Sequence, residues 1–176
     1  MIETETKFRL ASRAEIDRLS SLLAEISGVT SSYRAETDLF LDTMDHRLTQ
    51  RGCQLRVRSI DGTPGGTVTF KGAPTFVGAA KVRTEIEIVV SDAIAMQRFF
   101  EALDYSVLLR YRKARRTWML GVAEVALDEL DVGFFCEIEG PPTQIAEIAD
   151  RLGLSETQVE IASYPELVLR SSLAPM

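Results

Sequence analysis

The stretch from residue 2 to residue 10 reads Ile2-Glu3-Thr4-Glu5-Thr6-Lys7-Phe8-Arg9-Leu10. Charged side chains occupy every second position of it, from Glu3 through Glu5 and Lys7 to Arg9. Because successive side chains of a β-strand point to opposite faces of its sheet, this alternation predicts a strand with one charged face.

The same two-residue period returns in seven further segments, which we predict to be strands. They cover residues 34–42, 54–60, 67–71, 81–90, 108–120, 122–130 and 134–139. Three helices are predicted. The first follows Ser12, which can cap it with Glu15, and ends at Gly28; the second follows Asp92 and runs to about residue 103. The third opens at Pro141-Pro142-Thr143 and runs to Leu152, with Gly153 behind it. The Gly- and Pro-containing residues 72–80 are predicted to form a mobile loop.

The charged strand faces, taken together, indicate the fold class. Any one of them also fits a solvated outer face. The amphipathic helices, however, need an apolar surface to cover, and the only apolar sheet faces lie opposite the charges. Antiparallel sheets of about eight strands tend to close. We therefore expect an α+β fold, a closed eight-stranded antiparallel β-barrel that forms a tunnel with a charged interior, with helices packed outside. A single domain is expected over residues 1–176.

A charged interior predicts a polyionic ligand, because buried charges are costly unless they pair with each other, with metal ions or with a bound anion. The carboxylate pairs Glu3 with Glu5 and Glu137 with Glu139 suit hard cations such as Mg²⁺ or Mn²⁺. Arginine and lysine side chains on the same faces suit phosphate oxygens. No GxxxxGK[ST] motif occurs, so the side chains and the metal would hold any phosphate.

Composition excludes several other classes of protein. The chain has 176 residues and a net charge of −6, which argues against a general nucleic-acid binder. It shows neither an apolar run long enough to cross a membrane nor a signal peptide, so we expect a cytoplasmic protein that does not bind membranes. Cys53 and Cys136 are expected to be reduced and structural, with no zinc site. The one histidine, His46, is expected on the surface.

Several motifs resemble those of the CYTH superfamily, also called the triphosphate tunnel metalloenzymes. The resemblance spans nearly the whole chain, in the family's order. Its motifs are Glu3-Thr4-Glu5-Thr6-Lys7, Thr37-Asp38-Leu39-Phe40-Leu41-Asp42-Thr43, Leu55-Arg56-Val57-Arg58, Phe70-Lys71-Gly72, Arg83-Thr84-Glu85-Ile86-Glu87, Lys113-Ala114-Arg115, Leu127-Asp128, Gly133 and Glu137-Ile138-Glu139-Gly140.

This resemblance implies an eight-stranded tunnel and roles for individual residues. The implied metal ligands are Glu3, Glu5, Asp128, Glu137 and Glu139. The implied triphosphate-binding residues are Lys7, Arg56, Arg58, Lys71, Arg83, Lys113 and Arg115. The implied catalytic set is Glu3, Glu5, Lys7, Lys71, Glu137 and Glu139. Glu85 and Glu87 are implied to be supporting residues, which either bind metal or orient the basic side chains. Phe40 departs from the Tyr that is often found in the family, which removes one hydrogen bond.

The expected function is a divalent-metal-dependent phosphohydrolase acting on inorganic triphosphate, thiamine triphosphate or a nucleoside triphosphate. Water would attack the terminal phosphorus in line while cations neutralise the developing charge. One alternative is a class IV adenylyl cyclase that makes cyclic AMP and pyrophosphate from ATP. Ser163-Tyr164-Pro165-Glu166-Leu167 and Glu139-Gly140 resemble the branch of the family that contains the cyclases and the thiamine triphosphatases. A second alternative is a non-catalytic polyphosphate-binding module. The expected partner is a triphosphate-containing small molecule, bound by a monomer or a homodimer.

Overall fold

The computed structural model describes residues 1–28 and 31–173. Within them the strands are β1 (Ile2–Leu10), β2 (Ser32–Thr43), β3 (Gln54–Ile60), β4 (Gly66–Lys71), β5 (Thr75–Val77), β6 (Ala80–Val90), β7 (Tyr105–Leu120), β8 (Ala123–Leu130) and β9 (Gly133–Glu139). The helices are α1 (Arg13–Ser27), α2 (Arg47–Gln50), α3 (Ala93–Glu101), α4 (Pro142–Leu152) and α5 (Tyr164–Leu173), with a 3₁₀ turn at Glu156–Gln158.

The described strands form one sheet that is closed by its pairing. Their order is β1-β9-β8-β7-β2-β3-β4-β6-β5, and β1 pairs in addition with β6. This extra pairing joins the eight longer strands into a ring, and β5 adds to β6 as a further strand. The predicted α+β fold with a closed eight-stranded antiparallel barrel is therefore confirmed.

Most predicted elements are confirmed, and the differences have local causes. The prediction of a loop throughout residues 72–80 was wrong, because Gly78 adopts a φ of 60° and lets β5 turn back onto β6. At the start of α1 the Ser12 side chain makes no capping bond; the carboxylate of Glu15 instead accepts from the Ala11 N–H at 2.8 Å. The predicted caps Asp92 and Gly28 are confirmed. Helices α2 and α5 were not predicted.

The contacts divide the chain into two compact units. Unit 1 consists of Met1–Ile2, Ala35–Thr75 and Arg83–Arg112, and unit 2 of Glu3–Arg34, Phe76–Val82 and Lys113–Met176. The single domain expected over 1–176 includes residues 29–30 and 174–176, which lie outside the described residues, and it stays a prediction.

The core of unit 2 lies between α1, α4 and one face of its strands. Leu19 and Leu23 of α1 and Ile148 of α4 pack there against Leu127 and Ile138 from β8 and β9. Because these strand residues alternate with charged ones, the helices cover the apolar strand face and leave the charged face on the other side.

The core of unit 1 has the same construction around α3. This helix packs on β3 and β4, and the core includes Leu39, Leu55, Val57, Val68 and Ala93. These residues again alternate along their strands with polar and charged ones.

The remaining sequence expectations concern single residues and membrane spans. Cys53 and Cys136 are buried and form no disulfide bond, and His46 is exposed, as expected. None of the described helices is long and apolar enough to span a bilayer.

Helix α2 has only four residues, and a buried carboxylate fixes its start. The Asp42 side chain accepts from the backbone N–H groups of Leu48 and Thr49 at 2.9 and 2.8 Å, and from the Thr49 hydroxyl at 2.7 Å. Burial raises the pKa of Asp42, but these hydrogen bonds and one from Thr43 outweigh burial and hold the pKa below its ordinary value.

We expect Asp42→Asn to lower the free energy of unfolding by about 2 kcal/mol, because an amide N–H₂ would replace one of the accepting oxygens. Since folding lowers this pKa, the contribution of the ionised carboxylate is present above the ordinary value of 3.8 and is lost as the pH falls through the folded-state value. Urea denaturation at about pH 7 and about pH 3 measures the difference, which should shrink in acid.

The control is Asp45→Asn, three residues away and exposed. It should leave the urea midpoint nearly unchanged. A variant at Asp42 as stable as the wild-type protein would contradict the assignment of this cap.

Candidate functional site

The charged face of unit 2 sets acidic and basic residues opposite each other on neighbouring strands. In the β1–β9 register Lys7 faces Glu137, and the Lys7 Nζ lies 4.0 Å from a Glu137 carboxylate oxygen. Lys7 is only 4% exposed. Burial lowers the pKa of the Lys7 ammonium below its ordinary value, although the carboxylate of Glu137 acts in the opposite direction.

Asp128 of β8 stands at the centre of this face and is fully buried. Two guanidinium nitrogens of Arg115 donate to the Asp128 carboxylate: Nε to Oδ1 at 2.7 Å, and Nη2 to Oδ2. The Lys113 ammonium donates to Oδ2 at 3.2 Å, and the Tyr164 hydroxyl donates to the same oxygen at 2.8 Å. Burial raises the pKa of Asp128, but Arg115 and Lys113 outweigh it and lower the pKa, so the carboxylate stays ionised.

Tyr164, the first residue of α5, joins several of these groups. Its ring lies under two ammonium groups, with Lys7 Nζ 4.3 Å and Lys113 Nζ 5.2 Å from the ring centroid. The edge of Phe135 meets the ring at 5.1 Å between centroids. Burial, with the nearby carboxylate of Asp128, raises the Tyr164 pKa well above its ordinary value, so the hydroxyl keeps its proton.

Two further contacts complete the charged face of unit 2. Arg115 also donates to Glu137, so one guanidinium holds carboxylates from β8 and β9. Lys81 at the start of β6 is buried and lies 3.5 Å from the Glu5 carboxylate. The sequence analysis did not select Lys81, although it stands two positions before Arg83 in the same alternation.

Unit 1 carries a charged face of the same kind. Arg58 donates to both oxygens of the buried Asp38, at 2.7 and 2.8 Å, and lies 3.2 Å from the buried Glu36. The guanidinium of Arg83 donates to the Gln54 side chain at 3.4 Å. The sequence analysis did not select Glu36, and it quoted Asp38 only within a motif without a role. Both lie on β2, where Asp38 pairs with Arg58 of β3.

The supporting carboxylates lie beside basic residues within unit 1. Lys71 Nζ is 2.8 Å from Glu85, and Arg56 Nη2 is 3.5 Å from Glu87. Glu87 also accepts from the Thr69 hydroxyl, which accepts from Arg56. The buried Nε of Arg56 has no hydrogen-bond partner among the residues described.

Phe40 stacks on Tyr111, with 5.7 Å between ring centroids and 25° between ring planes. Ring packing thus occupies the position at which the family often has Tyr.

The carboxylates predicted to bind metal follow the register of β1, β9 and β8. Glu5 faces Glu139 across β1 and β9, and Glu139 faces Glu124 across β9 and β8. Like charges placed opposite each other are destabilising, and a hard cation relieves their repulsion. Within the described residues, however, no three acidic, histidine or cysteine side chains converge as a metal site. The donor chemistry and the register fit a divalent cation, and the ligand set that includes Glu3 stays a prediction.

The comparison with protein families agrees with this arrangement. The model of the CYTH domain matches residues 1–163. The chain belongs to the CYTH family. The adenylate cyclase CyaB of Aeromonas hydrophila is 28% identical over 181 residues, which cover 96% of this chain and 90% of that protein.

Two solved structures of similar proteins share the fold of this CYTH chain. One, from Vibrio parahaemolyticus and described as an adenylate cyclase candidate, has a TM-score of 0.80 and 25% identity, with 96% of this chain and 98% of that one covered. The other, HpAC1 from Hippeastrum, has a TM-score of 0.72 and 20% identity, with 98% of each chain covered. HpAC1 is described as an adenylyl cyclase candidate with a dominant triphosphatase activity.

The structure thus gathers the predicted CYTH-type residues into two sets, each within one unit. Unit 2 holds Glu3, Glu5, Lys7, Lys113, Arg115, Asp128, Glu137 and Glu139, and unit 1 holds Arg56, Arg58, Lys71, Arg83, Glu85 and Glu87. The described contacts of Asp128 are with donors, so in this structure it orients cationic side chains. Its predicted role as a metal ligand stays a prediction.

We expect Asp128→Asn to lower the free energy of unfolding by about 3–5 kcal/mol, because the amide would remove the charge that balances two buried cations. Urea denaturation measures the loss. The adjacent variant Glu129→Gln affects only the more exposed pair with Arg13 and should cost less than about 1 kcal/mol. Equal destabilisation by the two variants would contradict a central role for Asp128.

Proposed function

We propose that this CYTH chain is a divalent-metal-dependent phosphohydrolase whose substrate is a triphosphate, either inorganic triphosphate, thiamine triphosphate or a nucleoside triphosphate. The observation that carries the proposal is the cluster of the buried Lys7 and Lys113 with the half-buried Arg115 on one sheet face, together with the carboxylates Asp128 and Glu137. A face that alternates buried cations with carboxylates suits a ligand that brings both negative charge and metal ions.

The cationic side chains supply phosphate binding. Arginine presents a planar fork of donors that matches phosphate oxygens, and lysine adds a compact charge. Because these groups are shielded from water, their attraction for an anion is stronger than on an exposed surface. Arg56 and Arg58 add two further guanidinium groups on the charged face of unit 1.

The carboxylates supply the candidate metal ligands. Glu3, Glu5, Glu137 and Glu139 would hold Mg²⁺ or Mn²⁺ through oxygen ligands. The cation, when bound, would offset negative charge on the phosphate oxygens.

In the proposed reaction, a water molecule attacks the terminal phosphorus, the bond to the bridging oxygen breaks, and orthophosphate and diphosphate or the corresponding diphosphate ester leave. Lys7, Lys113 and Arg115 would hold the non-bridging oxygens and stabilise the charge that moves to the leaving oxygen. Asp128 keeps Lys113 and Arg115 fixed before substrate arrives, so little reorganisation is needed during the reaction. The triphosphatase activity described for HpAC1 supports this reaction class.

Adenylyl cyclase activity is the second candidate, and the name of the relative from Aeromonas hydrophila favours it. The same charges would hold ATP while its ribose 3′-hydroxyl attacks the α-phosphorus and diphosphate leaves. The two reactions differ in the attacking oxygen and in the phosphorus attacked, so their products distinguish them.

We expect the purified protein to release orthophosphate from at least one of inorganic triphosphate, thiamine triphosphate and ATP in Mg²⁺ or Mn²⁺, and to lose this activity in EDTA. Orthophosphate is measured by colorimetry, and cyclic AMP with diphosphate by liquid chromatography. Cyclic AMP as the main product would replace the hydrolase with the cyclase. The absence of any product would contradict both.

Glu137→Gln tests whether activity arises at this face. Turnover should fall at least about a hundredfold, since the change removes a charge that holds Arg115 and is a candidate metal ligand. Glu147→Gln, on the exposed side of α4, should retain full turnover.

A further inference from the structure

The C-terminal helix α5 begins at the charged face of unit 2, and the proposed reaction gives its first residue no task. Just before Tyr164, the Ser163 backbone N–H and hydroxyl donate to the Glu166 carboxylate at 2.6 and 2.7 Å. Such a closed turn fixes the direction in which the helix starts. Leu167, one turn further on, is buried and anchors the same helix. The Tyr164 side chain therefore enters the cluster from a rigid support.

The Tyr164 hydroxyl shares its acceptor with two cations. Oδ2 of Asp128 receives the hydroxyl at 2.8 Å, the Lys113 ammonium at 3.2 Å and the second guanidinium nitrogen of Arg115. The Lys113 contact at 3.2 Å is longer than that of the hydroxyl at 2.8 Å. If the hydroxyl is removed, Lys113 can move closer to Oδ2 and is then drawn away from a phosphate oxygen.

The Tyr164 ring lies close to two ammonium groups. Lys7 and Lys113 come from different strands, β1 and β7, and both nitrogens lie within 5.2 Å of the ring centroid. The negative face of an aromatic ring attracts ammonium groups, so the Tyr164 ring contributes to the positions of both charges. A purely apolar side chain would fill the volume without fixing either charge.

We propose that Tyr164 is a positioning residue, whose hydroxyl and ring hold Asp128, Lys113 and Lys7 in the arrangement that binds the triphosphate. The inference rests on the proposed function, because it concerns the same phosphate-binding charges. Helix α5 would then affect substrate affinity through Tyr164, although no residue of α5 needs to contact the substrate.

Calorimetric titration with inorganic triphosphate in Ca²⁺, a poor catalytic metal, and steady-state kinetics in Mg²⁺ test the proposal. Tyr164→Phe keeps the ring and should raise both Kd and KM about tenfold, while kcat changes less than about threefold. Tyr164→Leu removes the ring as well and should raise both constants further. The calorimetric stoichiometry reports the folded fraction separately from Kd, so partial unfolding does not obscure the result.

Two matched variants serve as controls. Tyr105→Phe removes a hydroxyl from a ring that packs on Phe100 in unit 1, and Leu169→Ala shortens an exposed side chain of α5. Both should leave Kd and KM unchanged.

The outcomes separate the inference from the function on which it rests. If the wild-type protein binds inorganic triphosphate and Tyr164→Phe binds it equally well, the positioning role is overturned and the proposed function stands. A lower kcat with unchanged Kd and KM would assign Tyr164 a structural role alone and also overturn the proposal. If the wild-type protein binds no triphosphate, both fail.

Discussion

The buried carboxylate of Asp128 is the interaction on which the organisation of unit 2 depends. It accepts from Arg115 and Lys113 of β7 and from Tyr164 of α5, while Arg115 reaches on to Glu137 of β9. Burying the carboxylate without the two cations, or the cations without the carboxylate, would leave an unpaired charge and strongly destabilise the fold. The same hydrogen bonds that stabilise this charged cluster also fix the positions of the cationic side chains that we propose bind phosphate.

The two-residue period of the strands accounts for both fold and site. Along β1, Phe8 and Leu10 pack under the helices while Glu5 and Lys7 lie on the opposite face. Helices can cover only the apolar side, so the closed sheet keeps its charges on the other side. The helix-covered cores therefore supply most of the stability. The charged side chains on the opposite face lose hydration when they are buried, which lowers the stability of the protein.

The sequence predicted what depends on local pattern and missed what depends on tertiary contacts. The alternation located the long strands and the charged strand faces, because in a strand every second side chain points to the same side of the sheet. It could not predict α2, which depends on hydrogen bonds from its residues to Asp42. The sequence analysis did not select Lys81, and it quoted Tyr164 only as part of a motif without a role. Their partners, Glu5 and Asp128, are distant along the chain. The metal ligands stay predicted from donor chemistry and register.

The central claim is that the charged strand faces bind a polyanion together with a divalent cation. Its most direct measurement is the melting temperature with Ca²⁺ and inorganic triphosphate, compared with Ca²⁺ and orthophosphate at the same concentration. A ligand that binds only the folded state adds about 2.7 kcal/mol at a hundredfold excess over Kd, which corresponds to a rise of several degrees for a chain of this size. We predict such a rise with triphosphate and a much smaller one with orthophosphate. An unchanged melting temperature at millimolar triphosphate would contradict the account.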